Sequence, residues 1–351
     1  MNQQAIHDIL SGERRGPAWS SLRAVLSVAS GPYALAVRCR RWAYRKGFLP
    51  SHSAGRPVIS VGNITAGGSG KTPMVAWLSG LLTQAGRKPA VLIRGYKGQG
   101  GEGDEAKMLR EALGQPALVI EGPDRVESAK RAVRQGADVL IMDDGFQHLR
   151  LRRDLDIMLI DATNPFGMGR CLPRGLLREP VKAISSADAI VITRSNAVSA
   201  QELAALSSRL TELAPNALKA AAVHRPSAVI EDGVARDISI LRGKRVFAFC
   251  GLGNPRAFFR TLAELGASLA GEAAFADHAR YDSLQMEYIM SQAARCNAEA
   301  LITTAKDAVK IAAANLSMPL WVLQVHMDIT SGKDDLRRAV MAALRCAPMP
   351  E

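Results

Sequence analysis

Residues 57–73 read PVISVGNITAGGSGKTP, a short β-branched apolar run that ends in a glycine-rich turn and a Lys-Thr pair. An apolar run of this length bounded by glycine reads as a strand, and the stretch from about Lys71 to Ala85, stopped by Gly86, reads as the helix after it. Between them, Gly67, Gly68 and Gly70 let backbone N–H groups turn inward with no Cβ in the way, which a chain of phosphates requires. Thr65, Ala66, Gly67, Gly68, Ser69, Gly70, Lys71 and Thr72 therefore form a candidate phosphate loop. In it Lys71 reaches the β- and γ-phosphates of a bound nucleotide and Thr72 offers its hydroxyl to Mg²⁺. The match to GxxxxGK[ST] is incomplete, since Thr65 stands where the first glycine is expected. The strand-loop-helix setting still favours the phosphate reading over a glycine-rich turn with an incidental lysine.

Working outward, apolar runs at 58–62, 90–94, 117–121, 138–143, 155–160 and 188–194 predict strands, with helices near 104–113, 124–135 and 199–213. Runs that are apolar on both faces and alternate with helices suit an α/β fold with a parallel sheet covered on both sides. A second series has strands near 245–250, 300–304 and 319–325 and helices near 255–265, 283–296 and 334–345. Between the series, Asp232-Gly233 flanked by Val-rich runs reads as a hairpin turn. The expected organisation is an N-terminal segment over 1–50, a P-loop domain over 51–215, a two-stranded β linker over 216–244 and a smaller C-terminal α/β domain over 245–351.

A phosphate loop needs a second arm for its metal, usually an Asp at the end of a neighbouring apolar strand. DVLIMDDGFQH (138–148) supplies Asp143 and Asp144 where the chain turns at Gly145. Two adjacent carboxylates at a strand end repel unless a cation neutralises them. Transfer of a phosphoryl group to an alcohol also needs a group that accepts the hydroxyl proton. GEGDEAKML offers Asp104 and Glu105, and FADHARYD offers Asp277, His278 and Asp282. Each has a plainer reading: Asp104 suits a helix N-cap, and an isolated histidine is more often structural than catalytic. GLGNP (251–255) lacks the last glycine of a dinucleotide fingerprint and reads as a strand-to-helix turn with Pro255 at the first helical position. ITTAKDAVK (302–310) is either a loop at the cleft or a solvated helix start.

Composition narrows the classes. The chain has 351 residues, 48% apolar, and a formal net charge of +12. That excess is local: between Arg14 and Gly101 there is no Asp or Glu, while fourteen Lys and Arg fall there. Residues 102–351 balance to zero, so an evenly basic nucleic-acid binder is disfavoured. Five scattered cysteines (Cys39, Cys171, Cys250, Cys296, Cys346) without metal spacing fit free thiols in a reducing compartment. The N-terminus lacks the order of charge, apolar run and cleavage site of a signal peptide. In residues 19–48 apolar positions at helical spacing precede Arg38, Arg40, Arg41, Arg45 and Lys46, interleaved with Trp42, Tyr44 and Phe48. Two readings stay open: a helix lying in an anionic membrane interface, or a helical hairpin packed on the domain with solvated arginines.

The ordered set VGNITAGGSGKTP, RGYKG, GDE, DDGFQH, FGMGRCLPRGLLREP, ADAIVITR, GLGNP, FADHARY and ITTAKDAVK resembles tetraacyldisaccharide 4′-kinase, the membrane-associated P-loop kinase family of lipid A biosynthesis. The resemblance runs from about residue 20 to 330. It implies two Rossmann-like α/β domains joined by a two-stranded linker, with the active site between them. It also implies ATP and Mg²⁺ as cofactors, and transfer of the γ-phosphate to the 4′-hydroxyl of a tetraacyldisaccharide 1-phosphate at the cytoplasmic face of the bacterial inner membrane. By position, Lys71 and Thr72 match the P-loop lysine and the metal-binding threonine, Asp143 and Asp144 match the metal pair, Asp104 matches the proposed base and His278 its histidine partner. Glu179 in LREP is a further metal candidate. The partners implied are the lipid disaccharide and an anionic membrane surface, with no nucleic acid. Met168 in FGMGR and the histidine-poor FADHARY depart from the family pattern. Kinases of a soluble sugar or nucleoside, or an NTP-dependent switch without acceptor, are the competing functions: the first would work without residues 1–50, the second would hydrolyse ATP alone.

Overall fold

The computed structural model describes residues 9–10, 13–95, 103–113, 118–276, 279–311 and 316–345, with the side chains of Asp104, Glu105 and Ala112 outside that description. The described chain forms two compact units, a larger one from residues up to His224 and from Met327 onward, and a smaller one from Arg225–His326.

In the larger unit the strands are β1 (Val58–Gly62), β2 (Pro89–Ile93), β3 (Leu118–Glu121), β4 (Val139–Asp143), β5 (Leu155–Asp161) and β6 (Ala189–Thr193), followed by β7 (Leu218–Glu231). They lie in the order β7-β6-β5-β1-β4-β2-β3, all parallel. β1, β2, β4 and β6 are buried at every position. Alternate residues serve opposite faces: Ile59, Val91 and Ile141 pack with Met74, Val75, Leu78 and Leu82 of helix α2 (Lys71–Gln84). Val58, Ala90, Leu140 and Met142 pack on the other side with Val126, Ala129 and Ala132 of α4 (Arg125–Arg134). Burying each large apolar side chain contributes about 1.5–3 kcal/mol, so a sheet apolar on both faces is stable only between two helical layers. The other helices of this unit are α1 (Pro17–Arg45), α3 (Asp104–Leu113), α5 (Ala200–Leu213) and α9 (Lys333–Ala343).

The smaller unit has β9 (Arg245–Cys250) between β10 (Ser268–Ala274) and β11 (Ala300–Thr304), with β12 (Leu320–Ser331) next to β11. Helix α6 (Pro255–Glu264) covers one face through Phe258, Phe259 and Leu262, and α7 (Ser283–Arg295) covers the other through Met286 and Ile289. Asp232 and Gly233 both adopt positive φ, 47° and 78°, and turn β7 into β8 (Val234–Arg236), the hairpin expected at that pair. Two strands are much longer than the pattern suggested. β7 and β12 each run from one unit into the other, and their polar residues, His224, Arg225 and His326 among them, had masked that continuity. β10 went unread because its SLAGEAA sequence is an edge strand with a bulge at Gly271 and no continuous apolar run.

Two readings left open are narrowed here. Residues 17–45 are one helix of 29 residues that continues through Pro32, not a hairpin. Asp307 is neither solvated nor a helix-start acid only: it is fully buried, accepting the Gly251 N–H at 3.0 Å and the Thr304 hydroxyl at 2.7 Å, with Thr304 capping the short α8 (Ala305–Ala308). That carboxylate ties the GLGNP turn to the ITTAKD segment.

Candidate active site

β1 and β4 are parallel neighbours in register Val61↔Asp143, so the phosphate loop after one strand and the carboxylate pair after the other leave the same edge of the sheet. In an open α/β sheet that carboxyl edge is where ligands bind. The loop has the backbone the sequence required: Gly67 and Gly70 take φ of 126° and 88°, and a Cβ on Gly67 or Gly68 would meet nothing within 4 Å. Thr65 replaces the expected glycine without strain because it pairs with Leu177 in a short antiparallel bridge. The Ala66 N–H donates to the Leu176 carbonyl and the Arg178 N–H to the Ile64 carbonyl, both at 2.7 Å. The LREP segment is therefore laced along the entry to the phosphate loop, a pairing with no signal in the sequence.

Lys71 begins α2, and its Nζ donates to Asn63 Oδ1 at 3.3 Å and lies 3.5 Å from Asp144 Oδ1. Both contacts are long, so the ammonium is loosely held and remains able to meet phosphate oxygens. Asn63 is itself fixed by donating to the Thr65 carbonyl at 2.8 Å and by Gln147, which donates to the Asn63 carbonyl at 2.8 Å. Asp143 and Asp144 diverge: Asp143 Oδ1 accepts the Asp144 N–H at 2.8 Å, while Asp144 takes φ 52° and turns its carboxylate toward Lys71. Asp is among the few residues other than glycine that enter this region, and the Asp143 carboxylate holds the Asp144 N–H in place. Arg178 donates to Asp144 Oδ2 at 2.7 Å. Burial alone would raise the Asp144 carboxyl, but Lys71 and Arg178 outweigh it and hold the group below the usual carboxylate range.

Glu179, a metal candidate in the sequence, is paired with a cation in this structure. Among the described residues no three of His, Cys, Asp and Glu converge as a metal cage, so Asp143, Asp144 and Glu179 do not form one cluster. Glu179 is 2% exposed and its Oε2 accepts from Arg41 Nε of α1 at 2.8 Å. Removing either member of such a buried pair strands a charge, at a cost of about 3–5 kcal/mol. The residues that do fit a nucleotide-bound Mg²⁺ are Thr72 and Asp144, because that ion takes one or two protein oxygens and fills its remaining positions with phosphate and water. Ser69 Oγ is buried without a hydrogen-bond partner among the described residues, as a polar atom facing a ligand would be.

Asp104 opens α3 directly after Gly103, and its side chain lies outside the described residues, as do Asp277 and His278. Glu121, at the end of β3, had not been singled out: it accepts the Gly103 N–H at 3.3 Å, and its carboxylate fills the space beside Gly95, where a Cβ would fall 2.4 Å from Cγ. It thus meets the chain at Gly95 and at Gly103. His224 is the other residue missed; its Nε2 lies 2.6 Å from where a Cβ on Gly70 would sit. A lone histidine inside a strand gave no pattern to find it by.

A family model described as Tetraacyldisaccharide-1-P 4′-kinase matches residues 22–345. A protein named Tetraacyldisaccharide 4′-kinase from Anaeromyxobacter sp. (strain K) is 38% identical over 362 residues, spanning 96% of this chain and 95% of the relative. Another of that name, from Geobacter sulfurreducens, is 40% identical over 325 residues, spanning 87% and 89%. The crystal structure titled as the "apo" form of LpxK from Aquifex aeolicus in complex with ATP superposes with a TM-score of 0.73 at 28% identity, covering 92% of this chain and 99% of that one.

Proposed function

The chain belongs to the tetraacyldisaccharide-1-phosphate 4′-kinase family, and from that premise we propose how its own residues carry the transfer of the ATP γ-phosphate to the 4′-hydroxyl of the lipid disaccharide in lipid A biosynthesis. The loop from Thr65 to Thr72 binds the triphosphate through its backbone N–H groups, and Lys71 neutralises the β- and γ-phosphates. Thr72 Oγ1 and the Asp144 carboxylate hold Mg²⁺, which when bound offsets charge on the phosphoryl oxygens. Asp144 is suited to this because the cations around it keep it ionised. Asp104 takes the proton of the attacking hydroxyl, and His278 assists it, either by holding the base ionised as a cation or by relaying the proton as a neutral ring. Asp143 orders the metal arm by accepting the Asp144 N–H.

The acceptor carries four acyl chains and stays in a bilayer, so the enzyme has to work at that surface. α1 supports this reading: Leu22, Val25, Val28, Leu35 and Trp42 are exposed along it, with Phe48 just beyond. No helix among the described residues is long and apolar enough to cross a membrane. α1 lies in the interface of the cytoplasmic leaflet, with Arg38, Arg45 and Lys46 toward anionic headgroups.

The observation carrying the reading is the convergence of Lys71 and Arg178 on Asp144 at the mouth of the phosphate loop. Its test is steady-state phosphotransfer with detergent-dispersed acceptor. Asp144→Asn and Lys71→Ala each lower kcat/KM by about a hundredfold or more, and Asp104→Ala lowers kcat by a similar factor with the KM for ATP little changed. A near wild-type rate for Asp104→Ala would remove its role as base.

A further inference from the structure

Helix α1 has a second face, turned to the protein, and it reaches both segments of the metal arm. Arg41 Nε donates to Glu179 Oε2 at 2.8 Å, Nη2 lies 2.8 Å from the same oxygen, and Nη1 donates to Ser186 Oγ at 2.8 Å. The same guanidinium lies over the Phe146 ring, 4.6 Å from its centroid. Phe146 is two residues beyond Asp144 and leaves no slack against β1, since a Cβ on Gly62 would fall 2.6 Å from Phe146 Cβ. Arg40 donates to the carbonyl of the next residue, Gln147, at 3.0 Å. Two turns earlier, the Tyr33 hydroxyl donates to the Arg178 carbonyl at 3.0 Å. On its other side the Arg178 N–H donates to the carbonyl of Ile64, at the entry to the phosphate loop, at 2.7 Å. The backbone of Arg178 is thus held between α1 and the segment that leads from β1 into the phosphate loop, while its guanidinium pairs with Asp144.

From these contacts we propose that Tyr33 and Arg41 are positioning residues for phosphotransfer: they fix the Arg178–Glu179 segment and the Phe146 turn, and through them the orientation of Asp144. The helix that bears the exposed apolar face is then also a wall of the metal arm, and a bilayer that seats α1 seats the arm with it. This rests on the assignment of Asp144 to the nucleotide-bound metal. Arg41 is not free to meet headgroups, because its guanidinium is committed to Glu179 and Phe146. Lysine does not replace it, since an ammonium has neither the fork nor the planar face that these contacts use.

The test uses the full chain in three measurements: vesicle flotation, affinity for a fluorescent ATP analogue with and without Mg²⁺, and phosphotransfer in detergent. In Arg41→Gln and Arg41→Lys, flotation and metal-free nucleotide affinity match wild type, while the gain in affinity on adding Mg²⁺ shrinks. In the same variants kcat falls at least about tenfold, as displacement of a positioned group does, with the KM for ATP within about twofold. Because Arg41→Gln strands Glu179, the double variant Arg41→Gln/Glu179→Gln is measured beside it; acting through one contact, it is no slower than the worse single variant. Tyr33→Phe shows a smaller loss of the same kind. A folded Arg41→Gln or double variant with unchanged kcat and Mg²⁺ response would overturn the proposal and leave α1 a tether. Failure of the wild type to phosphorylate the lipid would overturn the functional reading instead, and the Mg²⁺ response of nucleotide binding would still decide the role of Arg41.

Discussion

Gly70 joins the phosphate loop to α2 with φ 88°, and His224 Nε2 fills the space a side chain there would need. Burial, then the nearby Arg194, push this histidine down to about 4 against the opposing pull of Asp161. His148, at the end of DDGFQH, is also pushed down to about 4, by burial first and then by Arg125, Arg40 and Arg153 against Asp124. Each ring stays neutral in the folded chain at a pH where it would charge in the unfolded one. Above the unfolded value near 6.5 neither contributes to the pH slope; from there down to about 4 the unfolded state binds more protons, and stability falls with pH. The urea midpoint of the wild type is therefore lower at about pH 5 than at about pH 7.5, and His148→Asn shows a shallower drop. An equal drop in the variant would show that His148 is not depressed. At this scale the sequence was legible where a motif fixes a residue's partner type, as for Lys71 and Asp144. It was not legible for Glu179 or His224, whose partners come from distant strands and from α1.

Helix α1 shows why an element can be foreseen in kind and missed in detail. Helical spacing and the aromatic-basic cluster pointed to an amphipathic helix, and Leu22, Val25, Val28 and Leu35 do form an exposed apolar stripe. The helix continues through Pro32, because packing of Tyr33 and Ala34 against the core outweighs the one hydrogen bond the proline cannot donate. The cations divide as well: Arg40 and Arg41 bind the protein, while Arg38, Arg45 and Lys46 are exposed. In flotation with anionic vesicles, Val25→Asp with Val28→Asp lowers the partition coefficient by about tenfold or more, the worth of removing two apolar side chains from the interface. Arg38→Gln with Arg45→Gln weakens binding chiefly at low salt. Unchanged recovery in the first variant would show that this face does not meet lipid. The strands divide in the same way: those apolar on both faces were read to within a residue or two, whereas β7, β10 and β12, with polar or exposed positions, were not.

Across the whole molecule, the α/β pattern and the order of motifs along the chain carried both the parallel sheet and the family, because most of the motifs lie on a strand or directly after one. What the pattern could not carry was the lateral pairing: LREP against the phosphate loop, Glu121 across Gly95 and Gly103, and Asp307 on Gly251 join segments far apart in sequence through one or two hydrogen bonds or a close contact, with no periodic signature. The central claim is the transfer itself, and the most direct measurement incubates the full chain with γ-labelled ATP, Mg²⁺ and tetraacyldisaccharide 1-phosphate, then locates the label by mass spectrometry. The account predicts a bisphosphorylated lipid with the new phosphate on the 4′-oxygen, and none with soluble sugars or nucleosides. Label released only as inorganic phosphate, or transferred equally to water-soluble acceptors, would contradict it.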